Sequence, residues 1–441
     1  MEEKRALAPG GCRATAQKIT MRLDPGQPLT WGIRPRPPKR RTKAMQTIPQ
    51  PDQALVSWMR MIRRHLHQYP ELAFQEVATA LYIAERLTEL AVSYREGVGG
   101  TGIVAWLGGK DPAAPAVALR ADMDALPISE ETGLPFASRH PGIMHACGHD
   151  GHVAMLLGAA ALLRQTNLPG RVVLLFQPAE ESDGGAKGMI ADGGLEGVSV
   201  IFAGHIDRNW QLHEIVVQPG LICAYTDEFR IELSGRGGHA AKPQESTDTI
   251  LAASQLVGNL HTIVSRELHP CLPAVITVGR MEGGTAANVI AARVVVEGTI
   301  RTTDQESRQI CFAAVRRMTA AVASLHRVQA TCTLSEGYPP VINDVAASRI
   351  AREVAEGVVG TDKVKGQPLP SLGGEDFSFF LEKVPGCMVR FGARRPDPHD
   401  APAHSPRFDF AEEILATGAL FFARTALLAL QRLADFPARK E

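Results

Sequence analysis

The stretch HACGHDGHVAMLLGAAALLRQ, His145 to Gln165, joins two kinds of sequence. Its first eight residues hold three histidines, a cysteine and an aspartate, and the remainder is apolar. The apolar run Val153 to Leu163 is too short to span a bilayer and predicts a buried helix. Short apolar runs lie on both sides of it. GIVAWLG (102–108), AVALRADMD (116–124), RVVLLFQPAEE (171–181) and VSVIFAGH (198–205) read as strands. Strands alternating with helices predict an α/β sheet with buried central strands. Upstream, DQALVSWMRMIRRHLHQ (52–68) has helical apolar spacing, with Asp52 as N-cap. It should stop at Tyr69-Pro70, because the residue before a proline is pushed out of the helical region. A second helix is expected over roughly 76–90.

Near Thr226 the pattern changes. DEFRIELSG is an alternating strand, and TDTILAASQLVGNLHTIVSRE is a helix. PAVITVGRME and ARVVVEGTIRT are strands, SRQICFAAVRRMTAAVASLH is a helix, and VQATCTLSEG is a last strand. That βαββαβ order predicts a compact unit over 226–337, inserted into a larger discontinuous domain made of 45–225 and 338–441. After Gly337 come a helix, the glycine-rich SLGGEDF, the strand CMVRFGA, then AHSPRFDF and a closing helix. Residues 1–44 carry eleven Lys/Arg against three Asp/Glu and have no apolar period, so they predict a disordered basic extension. The remainder has 36 against 44, an acidic body with no reason to bind nucleic acid. Seven scattered cysteines without paired spacing, and no signal-peptide pattern, predict free thiols in a cytoplasmic protein with no membrane association.

The chemistry sits at predicted strand ends. Cys147 and His149, two apart, can face one metal ion, and thiolate and imidazole are favoured zinc ligands. If the helix begins near Asp150, His149 faces the site and His152 packs beneath it, while His145 could point either way. A structural zinc would want a second CxxC or HxxxH group, which the chain lacks. Glu180 and Glu181 follow the strand RVVLLF, and His205 ends another strand. Open α/β sheets place their sites in the crevice beyond such ends. Of two neighbouring carboxylates beside a cation, one can bind it while the other takes a proton from water. His404 follows the strand CMVRFGA.

In order along the chain, RADMDALPI, MHACGHDGHVAMLLGAA, FQPAEE, GRGGHAAKP, NVI, GTIRT, GGEDF and AHSPRFDF resemble the aminoacylase and carboxypeptidase type of metallopeptidases. The nearest branch is the metal-dependent amidohydrolases that include hippurate hydrolase, N-acyl amino acid deacylases and plant indole-acetyl amino acid hydrolases. The resemblance covers roughly residues 52–433. It implies a catalytic α/β domain, a lid and dimerisation domain at the βαββαβ insertion, and a homodimer. It implies two divalent ions per subunit, held by Cys147, His149, Glu181, His205 and His404, with Glu180 as general base. Zinc is the first expectation, with manganese, cobalt and nickel compatible with the same donors. Asp122 matches a carboxylate that orients a ligand histidine. His239 matches a histidine that binds the scissile carbonyl oxygen, in several relatives across the dimer. Asn288 matches a substrate-contact segment, and Glu375 matches a residue that either contacts substrate or braces its loop. The expected substrate is a small N-acyl amino acid or related amide. Dipeptidase or carboxypeptidase activity on the same fold, or a silent binding protein, are the rival readings. The segment HIDRNWQLHEIVVQPG departs from many relatives, so Trp210 and His213 are expected to bear on substrate preference.

Overall fold

In the computed structural model, residues 48–109, 115–182, 184–395, 401–433 and 436 are described. The basic extension expected over 1–44 lies outside them. An eight-stranded mixed sheet forms the larger half. Its order is Ser93–Val98, Gly102–Gly108, Arg171–Gln177, Ala116–Asp122, Val198–Asp207, Gly386–Gly392, Ile215–Val216 and Val364–Lys365. The four central strands, from Arg171–Gln177 to Gly386–Gly392, run parallel. Strand Gly102–Gly108 closes one side antiparallel.

The strand side chains divide by alternation. Val172, Leu174 and Phe176 face one core with Val117, Leu119, Val200 and Phe202, covered by helices Gln53–Gln68, His149–Arg164, Val345–Val359 and Ile414–Gln431. Val173 and Leu175 face the other core with Ala118, Ile201 and Ala203, covered by helices Gly185–Ala191 and Phe377–Lys383. Burial on both faces is why these strands read as continuous apolar runs. Helix Ile414–Gln431 is long and apolar enough to cross a membrane, yet 72% of it is buried inside the protein, so it is a core helix.

Tyr225–Ser234, Ala274–Gly283, Arg293–Thr302 and Gln329–Glu336 form a second, four-stranded antiparallel sheet with a core of its own. Phe229, Ile231 and Leu233 pack under helices Thr249–Leu260 and Gln305–His326. The opposite face carries ion pairs such as Arg293–Glu232 and Arg280–Glu297, so it alternates as a half-solvated sheet should.

Most elements follow the sequence expectation. Asp52 caps the first helix by accepting the Leu55 N–H at 2.8 Å. The helix expected over TDTILAASQLVGNLHTIVSRE is instead two, Thr249–Leu260 and Thr262–Glu267. The Thr262 hydroxyl donates to the Asn259 carbonyl at 2.7 Å, a side-chain bond that competes with the helical ladder at the break.

Candidate metal centre

The parallel strands deliver Asp122, Gln177, Asp207 and Gly392 to one edge of the main sheet, and the candidate ligands gather there. Gly148, with φ of 93°, turns the cysteine loop into the helix that His149 opens. Past Gln177, Ala179 takes φ of 52°, and its N–H donates to the buried Glu76 at 2.9 Å. This holds the turn that delivers Glu180 and Glu181. His404 also has positive φ, 65°, and its N–H donates to the Ala146 carbonyl at 2.8 Å, tying the late loop to the cysteine loop.

Three ligand groups converge, each with its donor atoms within 4.8 Å of one another: Cys147 with His149 and His205, Cys147 with Glu181 and His404, and His149 with Glu180 and Glu181. Cys147 belongs to two of them and is placed to serve two ions. Its sulfur lies 3.4 Å from His205 Nε2, and Glu181 Oε1 lies 3.2 Å from His404 Nε2. His149 donates from Nδ1 to Asp124, 3.0 Å to the carbonyl and 3.2 Å to the carboxylate. Its Nε2 is buried without a hydrogen-bond partner, 3.8 Å from carboxylate oxygens of both Asp122 and Glu181. A buried nitrogen facing carboxylates fits a cation. Burial, then His152 and Arg390, holds the His205 imidazole well below the usual histidine range, so it is neutral as a ligand must be. Burial and Glu181 push the Cys147 thiol up; a bound cation reverses that.

Around these donors the support is dense. His152 uses both nitrogens, Nδ1 donating to Asp122 at 2.5 Å and Nε2 accepting the Ile206 N–H at 2.8 Å. It therefore packs beneath the site, as the helix phase predicts. The expected role of Asp122 needs correcting. Its carboxylate bonds His152 and Arg120, whereas the partner that orients His149 is Asp124. Asp124 also accepts the Glu181 N–H at 2.9 Å, so one carboxylate positions two candidate ligands. The signal lay in RADMD, whose second aspartate is offset by two on the same side. His145 belongs to none of these ligand groups, and its ring lies 6.5 Å from that of His67. Asp150 accepts from Arg63 Nε at 2.9 Å and His67 Nδ1 at 2.8 Å, and anchors the helix start.

Glu180 is buried beside Glu375 and Asp376. Burial, then Glu375 and Glu181, holds its carboxyl well above the usual carboxylate range. The Tyr338 hydroxyl donates to the Glu180 carbonyl at 2.8 Å. Glu375 lines the cavity, but its carboxylate is engaged by the Phe377 N–H and by Arg120, which braces the loop. The cavity is about 1120 Å³, walled by both sheets. Trp210 lines it; His213 does not, and its Nδ1 instead meets the Thr417 hydroxyl at 2.9 Å. His239, in the short ladder Gly238–His239 with Val289–Ile290, and Asn288, which precedes that ladder and accepts the Ala240 N–H at 3.0 Å, are both exposed. Neither is among the described residues lining this cavity.

The profile of peptidase family M20/M25/M40 matches residues 118–428. The chain belongs to this family. The M20 chain is 42% identical over 370 residues to N-acetyl-L-cysteine deacetylase of Bacillus subtilis, covering 83% of this chain and 86% of that protein. It is 41% identical over 380 residues to an IAA-amino acid hydrolase of Arabidopsis thaliana, covering 84% and 85%. A solved Bacillus subtilis protein, described as a dinuclear metal binding peptidase from the M20 family, superposes with a TM-score of 0.74 at 36% identity. That match covers 86% of this chain and 99% of the other. This M20 chain is a metal-dependent amidohydrolase, and its converged donors fit a two-ion site.

Proposed function

We propose that this M20 chain cleaves the amide bond of small N-acyl amino acids, with Glu180 as general base. The observation that carries the reading is Glu180 itself, a buried carboxyl of raised proton affinity that lines the cavity within 4.8 Å of His149 and Glu181. The ions would be held by Cys147, His149, Glu181, His205 and His404, with zinc first from the Cys and His donors. Bound there, they supply Lewis acidity to a water and to the substrate carbonyl. Glu180 takes the proton from the attacking water and passes it to the leaving amine, a shuttle suited to a carboxyl of raised proton affinity. The named relatives, an N-acetylcysteine deacetylase and an IAA-amino acid hydrolase, support an acylated amino acid as substrate.

His239 completes the proposal from a second copy. Its Nδ1 accepts the Ala241 N–H at 3.1 Å, which leaves the proton on Nε2 as a donor for a carbonyl oxygen. The second sheet would act as lid and dimerisation domain, with Asn288 presented beside His239. The exposed edge strand Ala274–Gly283 offers an unpaired backbone for a partner. Glu180→Gln tests the base: turnover of N-acetyl amino acids should fall at least about 100-fold with metal content unchanged. Full turnover with metals bound overturns the assignment.

A further inference from the structure

Arg63 and Arg120 are buried in the larger half with their donors satisfied, whereas Arg390 is half-buried in the cavity wall. Arg63 reaches Asp150, Asp409 and Glu412 at 2.9, 2.8 and 3.2 Å. Arg120 reaches Asp122, Asp376 and Glu375 at 2.6, 2.9 and 3.1 Å, and Gln177 at 2.7 Å. Arg390 differs. It stands in the strand Gly386–Gly392, where every other residue is buried, and it lines the cavity. Among the described residues its side chain makes one hydrogen bond, from Nη2 to the Cys223 sulfur at 3.1 Å, and no ion pair. A thiol is a weak acceptor, and a guanidinium carries five donors in a planar fork. Arg390 is the register partner of His205 on the neighbouring parallel strand, so both side chains leave the same face of the sheet. The free donors therefore face the space beside a candidate ligand.

Resting on the hydrolase reading above, we propose that Arg390 is the receptor for a carboxylate carried by the substrate close to its scissile amide. A carboxylate matches the fork of the guanidinium and would take up the donors that Cys223 leaves open, in a partly desolvated place. Two sources share that chemistry: the α-carboxylate of the amino acid half, and a carboxylate on a dicarboxylic acyl half.

The test reads binding on the metal-loaded enzyme by tryptophan fluorescence on rapid mixing, since Trp210 lines the same cavity. Hippurate is compared with hippuramide, and N-succinylglycinamide with N-butyrylglycinamide. The wild-type protein should bind the carboxylate member of at least one pair about 10- to 100-fold tighter, as charged hydrogen bonds are worth. Arg390→Met should bind both members alike, and Arg390→Lys should recover part of the difference. The pair that discriminates identifies the source. No discrimination in the wild-type protein, or discrimination that survives Arg390→Met at unchanged metal content, overturns the proposal. Turnover of the same amides is scored separately. Normal hydrolysis with discrimination indifferent to Arg390 rejects Arg390 alone, whereas Arg390-dependent binding without hydrolysis rejects the hydrolase reading alone.

Discussion

Gly151, inside the HDGH motif, lets the helix carrying His149 pack tightly against Ile206, next to His205, and against Phe410. A Cβ there would stand 2.5 Å from Ile206 Cδ1 and 2.6 Å from Phe410 Cζ. Carbon atoms pack at about 3.5–4.0 Å, so Gly151→Ala demands a displacement of about 1 Å. Ile206 and Phe410 are buried, and Phe410 lies under the Arg63 guanidinium, 4.4 Å from centroid to Cζ, so neither can swing into open space. Overpacking of this size costs about 1–3 kcal/mol. Part of the movement must be taken by the helix entrance, and a 1 Å misplacement of reacting groups costs about 100-fold in rate. The assay pairs thermal unfolding with kcat on an N-acyl amino acid and with metal content. We expect a lower unfolding temperature and a kcat reduced by about 10- to 100-fold. Wild-type stability together with wild-type kcat would refute the idea that close approach at Gly151 sets the distance between the two ligand elements.

Cys147→Ala removes the donor shared by two ligand groups, so elemental analysis should show loss of at least one ion per chain, and retained stoichiometry sinks the shared-ligand role. Mixing inactive Glu180→Gln with inactive His239→Ala protein should restore part of the activity if His239 acts on the other copy's site; no recovery in mixed dimers removes that role. Burial alone would raise the Asp150 carboxyl, but Arg63 and then His67 hold it well below the usual carboxylate range. A depressed folded-state pKa contributes stability that is present above the unfolded value and is lost as pH falls below it. Stability should therefore drop steeply below about pH 4, with a shallower slope in Asp150→Asn; identical slopes by denaturant titration would remove this pair from the acid response.

Strand ends were legible because a doubly buried strand is an apolar run whose exit is marked by polar residues, as at FQPAEE and FAGH. The second sheet was legible from its alternation in DEFRIELSG. The short strands Ile215–Val216 and Val364–Lys365, at one end of the main sheet, have too few residues to show a period. Within the site, spacing separated His149 from His152, since helix phase fixes both directions. It did not separate Asp122 from Asp124, which share a side and differ only in which histidine each reaches. Arg390 carried no local signal: a lone arginine in CMVRFGA has meaning only once its one hydrogen-bond acceptor is known to be the Cys223 sulfur.

The main sheet's last parallel strand, Gly386–Gly392, and the apolar helix Ile414–Gln431 both follow the whole second sheet along the chain. During synthesis the second sheet can close its own core while the larger half still lacks a central strand and the cover for one face. The nascent chain must therefore keep a wide apolar surface from self-association until the last helix emerges. Chaperone demand should accordingly fall on the larger half, and truncation ahead of Gly386 should yield aggregates in which only the second sheet resists proteolysis.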